Sequence, residues 1–184
     1  VLREYAKLIV KCGVNVQKGQ EVIVYADLDQ PEFVQMVVEE AYKAKAKKVW
    51  VEWSYAPLSK VHVRYQSVKT LGTVEDWQIA RRQYTVDTVP ARIHLISDDP
   101  DGLKGINMAK MSKAHQMLYP IIKPYRDQLE GIQQWCIAAV PGKAWAKKVF
   151  PNSNNPEEEL SIAMQKCMRL DEENPVLAWD LHVK

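Results

Sequence analysis

The stretch from Glu21 to Ser54 constrains the fold more than any other part of the chain. Glu21-Val22-Ile23-Val24-Tyr25-Ala26 is short and β-branched and reads as a strand, and Lys48 to Ser54 reads as a second. Between them Asp27-Leu28-Asp29-Gln30-Pro31 has the form of a loop entering a helix. Asp29 or Gln30 can cap it, and Pro31 suits its first position. Phe33, Val34, Val37, Val38, Ala41 and Tyr42 then repeat with the helical period. Strand, helix and strand within about 35 residues make a βαβ unit, which requires a parallel pair and a right-handed crossover.

The flanking sequence extends this pattern. Leu2, Tyr5, Ile9 and Cys12 share one helical face, and Gly13 stands where a left-handed C-cap belongs. Helices are predicted over 58–71 and 74–87, a third strand over Ala91 to Asp98, and a helix near Gly105 to Leu118 in which Met108 and Met111 read as core. Pro120 and Pro124 are expected to break that helix, because each lacks an amide proton and crowds the preceding turn. Trp135 to Val140 is the fourth strand, closed by Pro141-Gly142-Lys143. Four strands separated by helices predict an α/β fold: an open, mainly parallel, Rossmann-like sheet with helices on both faces.

Residues 1–150 form this α/β domain, and the character changes over 151–184. Asn152 to Asn155 reads as a linker. Asn155-Pro156 followed by Glu157, Glu158 and Glu159 opens a helix whose apolar face is Leu160, Ala163, Met164 and Cys167, and Asn174-Pro175 opens another. Basic residues outnumber acidic ones 22 to 16 up to Phe150, and acidic outnumber basic seven to three after it, a shift placed at a domain edge. The first helical pattern has no cap before it and the last has none after it, so the natural chain is expected to be longer.

Composition excludes several classes. A chain of 184 residues removes roughly 70% of its unfolded surface from water, so disulfides are unnecessary. Cys12, Cys136 and Cys167 are odd in number, far apart and set in apolar runs, which fits a reducing, cytoplasmic compartment. No pair of them has zinc or thioredoxin spacing. A net charge of +2 gives no reason to expect nucleic acid. No run approaches the roughly 18 apolar residues a membrane helix needs, and no signal peptide opens the chain.

Complete catalytic motifs are missing from the sequence. His62, His94, His115 and His182 show no ligand spacing, and His94 reads as a structural residue facing away from Ile93 and Leu95. There is no glycine-rich phosphate loop and no nucleophile elbow. The six tryptophans read as core and interface packing. Asp98, Asp99 and Asp101 gather after the third strand and Asp27 and Asp29 after the first, where open α/β sheets place ligands. Asp27, Asp29, Asp98 and Asp99 with Gly142 and Lys143 outline a candidate ligand crevice. The carboxylates could hold magnesium, or serve only as turns and caps, the simpler reading.

Several stretches point further when taken in order. They are Leu2 to Val10 with Gly13 to Gln20, Ala46 to Trp53, Asp98 to Leu103, Val140 to Ala146, and Arg169 to Trp179. Together they resemble the N-terminal domain of the thermophilic-type metallo-aminopeptidases, the aminopeptidase T, aminopeptidase S and PepS group. The resemblance implies removal of N-terminal amino acids from peptides by water activated between two divalent metal ions, zinc, cobalt or magnesium. It places the ligands in a C-terminal domain that has no counterpart in this chain, so no catalytic or metal residue is carried over and no metal is expected here. It also implies a homodimer, a part for this domain in walling the substrate cavity, and an isolated chain without activity. The family's usual glycine before Ala46 is replaced by Lys45. The alternative reading is a stand-alone binding or assembly module using the crevice at the strand ends.

Overall fold

In the computed structural model, which describes residues 1–183, β1 (Glu21–Asp27) is an interior strand whose Val22, Val24 and Ala26 line one face and Ile23 the other, all buried. β2 (Lys48–Ser54), β3 (Ala91–Ile96) and β4 (Trp135–Ala139) complete a sheet of order β2-β1-β3-β4. Every neighbouring pair is parallel. Val24 lies beside Val51 and Ile93, and Ile93 beside Cys136, so the apolar row of β1 continues across the sheet. The expected parallel α/β architecture is therefore present, with helices flanking the sheet.

Two compact units are distinguished. The first comprises residues 1–54, 91–100 and those from Gln134 onward, and it contains the sheet. Its core joins the Val22 face to Tyr5 and Leu8 of α1 (Leu2–Leu8) and to Phe33, Val34, Val37 and Ala41 of α2 (Pro31–Lys43). Each fully buried aliphatic side chain of this kind contributes roughly 1.5–3 kcal/mol. The Tyr5 ring stacks on Phe33 at 5.4 Å, and its hydroxyl donates to the Ala139 carbonyl at 2.8 Å, fastening α1 to the edge strand.

After α1 the chain continues through a wider, π-type turn, Ile9–Gly13. Gly13 is not the left-handed cap that the pattern predicts; the left-handed residue is Asn15, with φ 46°. Gly13 is required for a different reason. A Cβ there would lie 2.6 Å from Cys136 Sγ, so glycine is what allows the turn to approach β4.

α2 starts at Pro31 as expected, although Gln30, in the capping position, makes no side-chain bond to the helix. Its end is a complete Schellman motif: Ala46 N donates to Ala41 O at 3.0 Å and Lys45 N to Tyr42 O at 2.9 Å, with Lys45 at φ 67°. Lysine thus occupies the left-handed position itself. α8 (Pro156–Cys167) ends in the same way, with Leu170 N on Gln165 O, Arg169 N on Lys166 O, and Arg169 at φ 55°.

The segment after Pro151 packs on this first unit. α7 (Lys143–Val149) lies against α8, Leu170 joins the core, and α9 (Pro175–Val183) packs Val176 and Trp179 beside it. The Trp179 indole donates to the Met168 carbonyl at 2.9 Å.

The second unit, residues 55–90 and 101–133, is helical. The helix predicted over 58–71 is two, α3 (Ala56–Tyr65) and α4 (Val68–Leu71), because the backbone turns extended at Gln66 and Ser67, and Ser67 caps the second helix by accepting from Thr70 N at 3.0 Å. α5 (Asp76–Thr88) and α4 both pack on α6 (Met108–Leu129). α6 runs through Pro120 and Pro124, contrary to the expected break. The prolines are four apart and exposed, and the carbonyls they leave without donors belong to Gln116 and Pro120, also exposed and open to water. Met108 is 61% exposed at the start of α6 and is not core; Trp77 and Trp135, at 63% and 58%, are not core either.

Candidate functional site at the strand C-termini

In an open α/β sheet the ligand crevice lies beyond the strand C-termini where the strand order reverses. Here the chain leaves β1 towards β2 and later fills the opposite side with β3, so the reversal falls between β1 and β3. β3 ends at Ile96, two residues earlier than the periodicity suggests, which frees Ser97 and Asp98 for the loop facing Asp27 and Asp29.

Four of the six expected residues converge there. The Ser97 hydroxyl donates to Asp29 Oδ1 at 2.5 Å, and the Ser54 hydroxyl donates to Asp27. Asp98 hydrogen-bonds Asp27, and this bond, partial burial and the charges of Asp27 and Asp29 push the Asp98 carboxyl up to about 6. Below about pH 6 a proton on Asp98 joins it to Asp27; above that the two carboxylates repel. Gly142 closes the group, because a Cβ there would fall 2.4 Å from Ser97 O and 3.1 Å from Asp29 Oδ2. The Gln30 amide adds a bond to Pro141 O at 3.2 Å. Asp99 lies one residue further along the exposed loop, and Lys143 is the exposed first residue of α7, without an ion pair among the described residues.

His94 has the structural role expected of it. It stacks on Tyr25 at 4.6 Å with 9° between the rings, and burial lowers its pKa. The other histidines are scattered, His115 against Tyr119 and His182 against Trp179.

A second depression lies in the first unit. About 1030 Å³ in volume, it is lined by Tyr5, Trp179, Met168 and all three cysteines. Burial raises the pKa of both Cys12 and Cys136, so these groups are thiols and poor nucleophiles. Each cysteine's apolar setting was visible in sequence, but their convergence depends on the π-type turn, the edge strand and α8 meeting in three dimensions.

The family model described as thermophilic metalloprotease (M29) matches residues 1–184. The chain belongs to this family. It is 32% identical to aminopeptidase PepS of Streptococcus thermophilus and 32% to aminopeptidase AmpS of Bacillus subtilis (strain 168), in each case over 98% of this chain and 45% of the relative. Among solved structures it is similar to wild-type AmpT from Thermus thermophilus, with a TM-score of 0.84 and 25% identity over 98% of this chain and 45% of that one. The M29 chain thus spans about half the length of these relatives, and the part matched is N-terminal.

A metalloprotease family implies divalent metal ions, and the residues present do not fit them. Among the described residues no three His, Cys, Asp or Glu side chains are placed to hold a metal ion. The acidic group at the strand ends is engaged internally, with Asp27 and Asp29 accepting serine hydroxyls and Asp98 bonded to Asp27.

Proposed function

We propose that this chain is the N-terminal α/β part of a cytoplasmic metal-dependent aminopeptidase that removes N-terminal residues from peptides. In this reading residues 151–184 lead towards a second, catalytic domain that binds both metal ions, and the 184-residue chain alone has no activity. The observation that carries the reading is the family match along every residue of a chain that covers 45% of its aminopeptidase relatives. Three free cysteines suit a reducing compartment, and among the described residues no helix is long and apolar enough to cross a membrane.

The domain's own work is assembly and shaping of the substrate cavity. β4 is an edge strand, and Trp135 and Ile137 on one of its faces are 58% and 56% exposed, the kind of apolar surface that a homodimer or a neighbouring domain covers. Hydrolysis of leucyl-p-nitroanilide with cobalt or zinc tests the central claim. The isolated chain is expected to show no turnover above the metal blank. A chimaera carrying residues 1–184 in place of the matching part of PepS is expected to hydrolyse it. Metal-dependent turnover by the isolated chain would refute the assignment.

A further inference from the structure

The second unit contains a pocket of about 480 Å³ whose chemistry is one-sided. Lys60 and Arg64 lie one turn apart on α3, and Lys110 closes the wall from the first turn of α6. The lining holds these three cations and no acid. Lys110 Nζ donates to the Val63 carbonyl at 2.6 Å, which fixes the ammonium at the wall and uses one of its three protons. Among the described residues Lys60 and Arg64 have no hydrogen-bond or ion-pair partner. Unpaired cations around one cavity repel one another, and an anion placed between them relieves that repulsion. The pocket also has an apolar side, formed by buried Val63 and half-buried Ile106.

A bare tetrahedral oxyanion would satisfy the cations and leave the apolar wall and most of the volume unused. An apolar body carrying a carboxylate uses both, because a guanidinium accepts the carboxylate as a fork and the side chain covers Val63 and Ile106. We propose that this pocket binds the free carboxylate of an apolar residue, the chemistry presented by the C-terminal end of a peptide. Such a ligand fits whether or not the whole protein hydrolyses peptides.

Ligand-observed NMR on the 184-residue chain tests this with N-acetyl-leucine, N-acetyl-leucinamide and inorganic phosphate. N-acetyl-leucine is expected to bind, and the amide, which lacks the charge, at least about tenfold more weakly. Lys60→Ala and Arg64→Ala are each expected to weaken binding about fivefold or more, and added salt to weaken it further. Neither side chain is buried, and circular dichroism checks that each variant is folded; Lys60→Gln and Arg64→Gln, which keep the stems, repeat the test if one is not. Equal binding of the amide, unchanged affinity in the folded variants, or tighter binding of phosphate than of N-acetyl-leucine would each overturn the proposal.

Discussion

Replacing Lys45 with glycine is expected to stabilise the protein. Lys45 sits at φ 67° in the Schellman motif that ends α2, held by Ala46 N on Ala41 O and by its own amide on Tyr42 O, while its carbonyl accepts from Gly19 N at 2.8 Å. Three backbone bonds thus fix a left-handed conformation that brings Cβ too close to the following carbonyl, at a cost of roughly 1–2 kcal/mol for a side-chain-bearing residue. Glycine removes that strain and adds back roughly 0.5–1 kcal/mol through the extra freedom of the unfolded chain. The net gain is about 0.5–1 kcal/mol, equivalent to a rise in Tm of about 1–4 °C for a chain of this size.

The Lys45 side chain is exposed and makes no ion pair among the described residues, so little else is lost. Lys45→Ala is the control: it removes the side chain and keeps the Cβ, and is expected to leave stability within about 0.5 kcal/mol of the parent. Urea unfolding of the three proteins, with m-values compared, measures the difference. A glycine variant no more stable than the alanine variant would show that the left-handed turn carries no strain. Arg169, at φ 55° after α8, is a poorer test because its guanidinium contacts His182 Nδ1 at 3.1 Å, a contact that glycine would remove.

Gly13→Ala places a Cβ 2.6 Å from Cys136 Sγ and is expected to cost about 1–3 kcal/mol, and Cys136→Ala in the same chain to restore much of it; additive losses in a double-mutant cycle would show that the two positions do not meet. The raised pKa of Asp98 means that the folded state binds more protons than the unfolded one between about pH 4, near the ordinary value of 3.8, and about pH 6, so this group's contribution to stability falls as pH rises through that window. Asp98→Asn is expected to be more stable than the parent at pH 7, with the difference shrinking towards pH 4; a constant difference across the range would refute the raised pKa of Asp98.

The elements legible in the sequence are those whose signal is local. The strand and helix periods between Glu21 and Ser54 place β1, α2 and β2, and Pro31 marks the start of α2 to the residue. The acidic group is different in kind. Asp29 meets Ser97 across 68 positions of sequence, and Asp98 meets Asp27 only because β3 settles beside β1 with His94 opposite Tyr25. The sequence placed all four acids at strand ends, but their pairing belongs to the strand order. The pocket of the second unit divides the same way. Lys60 and Arg64 share a face by helical spacing, whereas Lys110 reaches them through a bond to Val63 from 47 positions away.

Glycine shows why a local rule fails even where its physics is sound. A left-handed turn favours glycine, yet Asn15, Lys45, Val89 and Arg169 all occupy positive φ, and three of them sit where a helix stops and backbone bonds hold the turn closed. Gly13, Gly72 and Gly142 have no such φ, and each lies where a Cβ would come within 3 Å of another atom: Cys136 Sγ, Met117 Sδ and Ser97 O. With only seven glycines, the chain places three of them at close approaches between segments and accepts about 1 kcal/mol of strain at several helix ends. A helix end can carry such strain because its hydrogen bonds are local and many. A contact 2.4 Å from a backbone carbonyl admits no such compensation, which is why Gly142, rather than any turn residue, is the glycine that the acidic group at the strand ends cannot do without.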